Sequence, residues 1–534
     1  MLTYFVVAPI LLAVFMYLYT NETLAKIGAI LVQASLFIAS LYMFLEARET
    51  PIELAVGGYE TVLGIALRAS AFNAALIVLT TLVFLMITIY NYPEEKTKMF
   101  WLLMFIWEGA LIGIFLTGDF FNRFVLMEVA TIISTILIMY DREKRSMYHG
   151  LYYLVINVVS VQFYLFGVGY LYRMTGTMDM QLATYRLQDI PAEQLLLPYA
   201  LIMTFAAMKC ALLPMGNWVS KALATEGSPP TVNAVMSAVH MVSGLYLFMS
   251  MHNVFPNMQQ NYLFIIMGAL TSMVGVLFGL AQRNVKKLLS YVSIVQFGLV
   301  VIALNIGDYY STVGAMFHIL NYALFSAILF LGMGIVIRKY QTNHLNQIRG
   351  VFKTTPVTAV ALVCAMFGIV GTPFFSGSVS TYFMLRGADQ WVAVLIATVG
   401  ALNLALFARF STIFFGQANT ETINRDLYAR RFQSVPLLPL ALICLLGGIF
   451  GEQVMGFLLN TGAYTSPYSN TQKLTMFAIS LAVGYSLHHV TRAKSADGEP
   501  AGFLYKVKYY DMGFRGIVIS VGLFFGLILL VSII

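Results

Sequence analysis

Apolar residues run along this chain in long stretches divided by short polar breaks. A helix crosses a bilayer with about 20 apolar residues. Runs of that order fall at 2–19, 24–45, 69–92, 99–117, 120–140, 149–172, 197–220, 232–254, 260–281, 286–305, 310–337, 356–385, 390–416, 435–459, 472–490 and 514–533. The short alternating segments of a membrane β-barrel are missing. The pattern predicts an all-α polytopic membrane protein of about sixteen transmembrane helices. The first run has no basic start and no small-residue cleavage site, and further runs follow it, so it reads as a span and not as a cleaved signal.

Composition strengthens this picture. Of 534 residues 59% are hydrophobic and only 10% are charged, against about 25% in a soluble domain. That excludes a soluble enzyme, a nucleic-acid binder and a disordered chain. Cys210, Cys364 and Cys444 lie far apart in apolar runs and read as small core side chains. No cofactor or metal motif is present: no cysteine pair for an iron–sulfur cluster and no Gly-rich phosphate loop. Any redox chemistry therefore belongs to partner subunits, and the chain is expected to carry no catalytic redox site of its own. The net charge of +7 is a topology signal. Loops after odd-numbered runs hold 22 Lys and Arg residues, and loops after even-numbered runs hold 7. Positive loops stay in the cytoplasm, so both termini are expected on the outer side of the cell membrane.

Two of the runs are broken by proline. In the seventh, Lys209 is followed by Pro214 and Gly216; the twelfth contains Gly371-Thr372-Pro373-Phe374-Phe375-Ser376-Gly377. The breaks lie five runs apart, which gives the second copy the opposite membrane orientation. Paired interrupted helices in inverted repeats mark a transporter's ion path. The expected organisation is N-terminal helices over 1–95, a first five-helix repeat over 96–255, a second over 256–416, and C-terminal helices over 417–534. Charged groups inside spans are costly and functional by default. Glu128 and Lys209 are such a pair, with Glu108 a weaker candidate and His240 and His318 candidate proton carriers.

These residues carry a family resemblance. The chain resembles the antiporter-like membrane subunits shared by complex I, Mrp-type multisubunit cation/proton antiporters and membrane-bound hydrogenases. Four stretches support it: Asn284-Val285-Lys286-Lys287-Leu288-Leu289-Ser290-Tyr291 with its continuation to Gly298; Thr117-Gly118-Asp119-Phe120-Phe121-Asn122 leading to Glu128; Pro214, Trp218 and Pro230-Thr231-Val232-Asn233-Ala234 after Lys209; and the Gly371–Gly377 segment. The resemblance spans about residues 70–416 and is closer to the Mrp and hydrogenase branch. It implies that Glu128 and Lys209 form a coupled input pair and that the chain works beside other membrane subunits; a soluble partner on the cytoplasmic side is an expectation of the C-terminal segment alone.

The resemblance also exposes departures. Where the family has lysines or a second histidine, this chain has Val242, Tyr322 and Ser326, and Thr381 replaces a lysine or glutamate; His318 is kept and His240 precedes Val242. The input half keeps its charges and the exit half loses its lysines. Tyr322, Ser326 and Thr381 still offer hydroxyls that can hold water. Three readings stay open: a proton- or Na⁺/H⁺-translocating subunit of an Mrp, hydrogenase or NADH:quinone oxidoreductase-like complex; a proton channel energising a non-redox partner such as an inorganic-carbon uptake protein; and a structural, non-conducting subunit. Residues 492–515, with Lys506, Tyr509, Tyr510 and Asp511, form either a docking segment or a solvated loop.

Overall fold

The computed structural model describes residues 2–59, 64–256, 258, 261–417, 432–460, 470–492 and 512–533. The expected docking side chains Lys506, Tyr509, Tyr510 and Asp511 lie outside these residues. The chain is a multi-pass helical membrane protein. Its helices are α1 (Leu2–Leu18), α2 (Glu22–Glu49), α3 (Ala71–Asn91), α4 (Lys98–Leu116), α5 (Phe120–Ile138), α6 (Lys144–Thr175), α7 (Met180–Leu187), α8 (Ala192–Lys209), α9 (Asn217–Ala224), α10 (Pro230–Val235), α11 (Met241–Val254) and α12 (Asn261–Ala281). Then follow α13 (Val285–Leu304), α14 (Tyr309–Tyr340), α15 (Val351–Thr354), α16 (Pro356–Val370), α17 (Ser376–Arg386), α18 (Gln390–Phe410), α19 (Leu437–Ile449), α20 (Gly451–Leu459), α21 (Asn470–Arg492) and α22 (Phe514–Ile533). A π-helical turn, Met236–His240, joins α10 to α11.

Twelve helices among the described residues are long and apolar enough to cross a membrane, and Leu2–Leu18, Pro356–Val370 and Phe477–Ser486 are shorter apolar helices. The number differs from about sixteen runs partly because proline and glycine divide two of them. The run over 197–220 separates into α8 and α9, and that over 356–385 into α16 and α17. α3, α13 and α14 are buried nearly all round, whereas α1 and α2 turn Leu11, Leu18, Leu31 and Ile38 outward. Helices apolar on every face suit a bundle centre, and outward leucines suit lipid or a neighbouring membrane chain.

Both breaks keep their backbone groups bonded, as an irregular segment at membrane depth must. Beyond α8, the Leu213 N–H donates to Thr271 Oγ1 at 2.9 Å, and Trp218 Nε1 donates to the Met208 carbonyl at 3.2 Å. α11 approaches this point so closely that a Cβ on Gly244 would sit 2.8 Å from the Lys209 carbonyl oxygen. At the second break Gly371 ends α16 with φ 76°, a left-handed conformation that costs glycine little. There Asn321 Nδ2 donates to the Ser376 carbonyl at 3.2 Å, and Asn403 Nδ2 donates to that of Ile369 at 3.3 Å.

A small hairpin, β1 (Ile52–Ala55) paired antiparallel with β2 (Ala66–Ala69), was absent from the sequence expectation. It is too short to rise above the surrounding apolar pattern. It pins the turn between α4 and α5: the Gly118 N–H donates to the Ala66 carbonyl at 2.8 Å, and Arg68 bridges Glu53 and Asp179 at 2.8 and 2.7 Å.

Outside the spans, Glu94 joins α3, α14 and the segment before α19. It pairs with Lys96 at 2.9 Å and Arg338 at 2.5 Å, and it accepts from Gln433 Nε2 at 2.6 Å. Burial pushes its carboxyl upward, but Lys96 and Arg338 outweigh burial and hold it below its ordinary 4.5. A lowered carboxyl stabilises the fold above its unfolded value, and that contribution is lost as pH falls through the folded value. Glu94→Gln should therefore cost about 1–3 kcal/mol at neutral pH. The gap in melting temperature from wild type should close as pH falls below 4.5. A gap that stays constant with pH would contradict this.

Candidate functional site

The two charged candidates of the input half sit on α5 and α8, with α6 packed against both, and they are not in direct contact. Lys209, the last residue of α8, is 5% exposed. Its Nζ donates to Asn157 Oδ1 at 2.6 Å and to Thr131 Oγ1 at 3.2 Å. Among the described residues no ion pair within 4.0 Å joins it to Glu128. Glu128 is half-buried one turn before Thr131 on α5 and is coupled to Lys209 through space. The coupled pair is thus a longer-range one, with the neutral Asn157 and Thr131 side chains holding the ammonium. Asn157 is oriented for this role, because its Nδ2 donates to the Tyr153 carbonyl at 2.8 Å and leaves Oδ1 for the lysine.

From Lys209 a row of buried polar side chains continues inward. Ser134, one turn from Thr131, donates to the Tyr153 hydroxyl at 3.2 Å, and that hydroxyl lies 2.9 Å from His240 Nε2. Trp107 Nε1 donates to His240 Nδ1 at 3.3 Å. Indole is a donor only, so Nδ1 carries the lone pair and the neutral ring places its proton on Nε2, toward Tyr153. One turn back on the π-helical segment, Ser237 Oγ lies 2.7 Å from the Tyr322 hydroxyl and 3.3 Å from Ser293 Oγ. Ser326, one turn after Tyr322, donates to the Ala323 carbonyl at 3.2 Å, and Val242 is buried without a polar atom to add.

His318, one turn before Tyr322 on α14, extends the row into the exit half. Its Nε2 lies 2.9 Å from Gln296 Oε1 and its Nδ1 2.9 Å from Ser380 Oγ. Ser380 Oγ also lies 3.0 Å from the Gly377 carbonyl in the second break. A hydroxyl both donates and accepts. Ser380 can donate to an unprotonated Nδ1, or turn to Gly377 and accept from a protonated one. His318 can therefore gain or lose a proton without losing a bond, while a second proton on His240 must break the bond from Trp107.

Thr381 does not join this row. It lines a cavity of about 400 Å³ with Gly371, Ser378, Tyr382 and Ser480, on the side of α17 away from His318. The expected exit-half contact thus belongs to its neighbour Ser380, since adjacent helical residues point about 100° apart. Pro214, Gly371 and Pro373 lie in the two breaks, which carry Lys209 at one end of the row and Ser380 at the other. Sequence reasoning missed Trp107, Thr131, Ser134, Tyr153, Asn157, Ser237, Ser293, Gln296 and Ser380. Ser293 and Gln296 lie in the Asn284–Gly298 stretch, one turn apart on one face, which was the available signal.

Comparison with known proteins agrees with this architecture. Residues 117–407 match the family described as NADH:quinone oxidoreductase/Mrp antiporter, TM. The chain is 26% identical over 469 residues to a Na⁺/H⁺ antiporter subunit from Alkalihalophilus pseudofirmus, covering 85% of this chain and 94% of that protein. A chain of the Mrp complex from Dietzia sp. superposes with a TM-score of 0.78 at 19% identity, over 90% of this chain and 98% of that one. A chain of an archaeal respiratory complex, the membrane-bound sulfane sulfur reductase, gives 0.78 at 23% identity, over 90% and 99%. With more than half of its length matched by that family, this chain belongs to the NADH:quinone oxidoreductase/Mrp antiporter transmembrane family.

Proposed function

We propose that the chain is the proton- or Na⁺/H⁺-translocating subunit of a multisubunit complex in the cell membrane. The row from Lys209 to Ser380 is its path. The observation that carries this reading is a succession of hydrogen-bonded polar clusters, each about one helical turn from the next: polar groups from α5, α6, α8, the π-helical turn, α13, α14 and α17 lie inside a bundle whose core is mainly apolar. Buried polar groups at membrane depth are expensive and are kept where they serve a pathway. The family relationship and the fold support the same reading.

In this mechanism a neighbouring subunit changes the separation of Glu128 from Lys209. Attraction to a carboxylate holds the proton on a lysine, and burial opposes it. Weakening the attraction releases the proton toward Thr131, Ser134 and Tyr153, while His240 keeps its own proton on Nε2 and orients the Tyr153 hydroxyl. The hydroxyls of Ser237, Ser293, Tyr322 and Ser326 then pass it to His318, which stores it against Ser380. The exit half thus works with a histidine and hydroxyls in place of lysines. The finer architecture of the proposal is sixteen crossings, each broken helix pair counted once, in two inverted repeats over 96–255 and 256–416 with both termini outside. The partners are other membrane subunits, with a soluble partner on the cytoplasmic side.

Nothing among the described residues drives the Glu128–Lys209 separation, so the polypeptide reconstituted alone should show no coupled ion flux above empty liposomes. The complex purified through a tag on this chain should build a proton gradient. Coupled flux by the chain alone, or purification without any membrane partner, would contradict the proposal.

A further inference from the structure

A buried carboxyl lies apart from this row. Glu108, on α4 beside Trp107, is fully buried, and so is Gln33 on α2. Gln33 Nε2 donates to Glu108 Oε2 at 2.5 Å. The other oxygen of each group, Gln33 Oε1 and Glu108 Oε1, is buried with no hydrogen-bond partner among the described residues. Among the described residues no charged side chain acts on Glu108, and Gln33 is its one hydrogen-bond partner. A primary amide has a donor end and an acceptor end. Whichever way the amide is turned, one carboxyl oxygen meets the NH₂ and the other is left for the amide oxygen. A buried oxygen left without a hydrogen is costly, and an unpaired buried charge costs more.

We propose that Glu108 is a proton-binding site in which the carboxylic acid donates to Gln33 Oε1 while Gln33 Nε2 donates back to Glu108 Oε2. One added hydrogen gives both unpartnered oxygens a partner and removes the buried charge. A metal cation suits the site poorly, since hard cations gather about six oxygens and this one offers the two left unpartnered. The site is separate from the Lys209–Ser380 row, yet it shares α4 with it: Trp107 holds His240 while the next residue holds this proton. A neutral Glu108 thereby keeps α2 and α4 joined beside the residue that fixes the His240 tautomer. The proposal does not depend on the transport reading.

The test is infrared difference spectroscopy on the purified full-length protein, with Glu108→Gln as the reference. A wild-type-minus-variant spectrum should show the carbonyl band of a protonated carboxylic acid, shifted in heavy water and unchanged by added sodium. Thermal stability should be the same in both proteins, because a glutamine amide can make the same two bonds. Gln33→Leu should keep the acid band and move it to higher frequency. A pair of carboxylate bands in place of the acid band would overturn the proposal, as would loss of the acid band on adding sodium. An acid band that does not move in Gln33→Leu would overturn the shared hydrogen bond, and it remains readable if Glu108→Gln fails to fold.

Discussion

Lys209→Ala should abolish gradient formation by the assembled complex while leaving the fold in place. The substitution removes the donor that Asn157 Oδ1 and Thr131 Oγ1 now face. An orphaned buried acceptor costs about 1–3 kcal/mol, which a large membrane bundle tolerates. Glu128 loses its opposite charge and becomes easier to protonate. Transport has no such tolerance, because the residue that takes up and gives out the proton is gone. Lys209→Arg separates the two roles a cation could have here. Arginine keeps the charge and the donors but does not release a proton. It should assemble and still fail to pump. Full pumping by Lys209→Arg would show that a fixed charge is enough, and full pumping by Lys209→Ala would make the residue structural.

His318→Ala should cut proton uptake nearly to background, since among the described residues it is the one ring in the exit half placed to hold a stored proton. Ser380→Ala should slow uptake as well, and Ser380→Thr should restore it, because the hydroxyl facing Nδ1 returns. Thr381→Lys should give no gain: its ammonium would enter the cavity beside Gly371 and Tyr382, away from His318. The checking measurement is initial proton uptake by inverted vesicles, normalised to the amount of complex. Normal uptake in His318→Ala would refute the relay, and improved uptake in Thr381→Lys would show that the exit still uses a lysine at that position.

The membrane class was legible in the apolar runs themselves, and the breaks beside Lys209 and Pro373 and the charged residues because each interrupts those runs. Partners across helices were not. Asn157, Ser237 and Ser380 are ordinary polar residues in apolar runs, and only the packing of α6, the π-helical turn and α17 against their neighbours selects them. The choice between Ser380 and Thr381 shows the limit most clearly. Aligning the chain with a family pattern gives a position, but the side chain's direction depends on where α17 restarts after the break. The distance between Glu128 and Lys209 was illegible for a related reason. Two helices one row apart can be bridged by Thr131 and Asn157 as well as by the opposite charge, and the sequence carries no distance. The β1–β2 hairpin was hidden because four-residue strands leave no periodicity in a chain this apolar.

The continuity of the row is tested most directly at its middle. Tyr322 is the hydroxyl on α14 that meets Ser237 on the π-helical turn, and it stands between the input and exit halves. Tyr322→Phe keeps the ring, which packs against Phe297, and removes only the hydroxyl. The measurement is proton uptake by vesicles holding the complex with Tyr322→Phe, compared with wild type at equal assembly. The account expects normal assembly and uptake reduced to a small fraction of wild type. Uptake at the wild-type rate would mean that protons cross the bundle somewhere else.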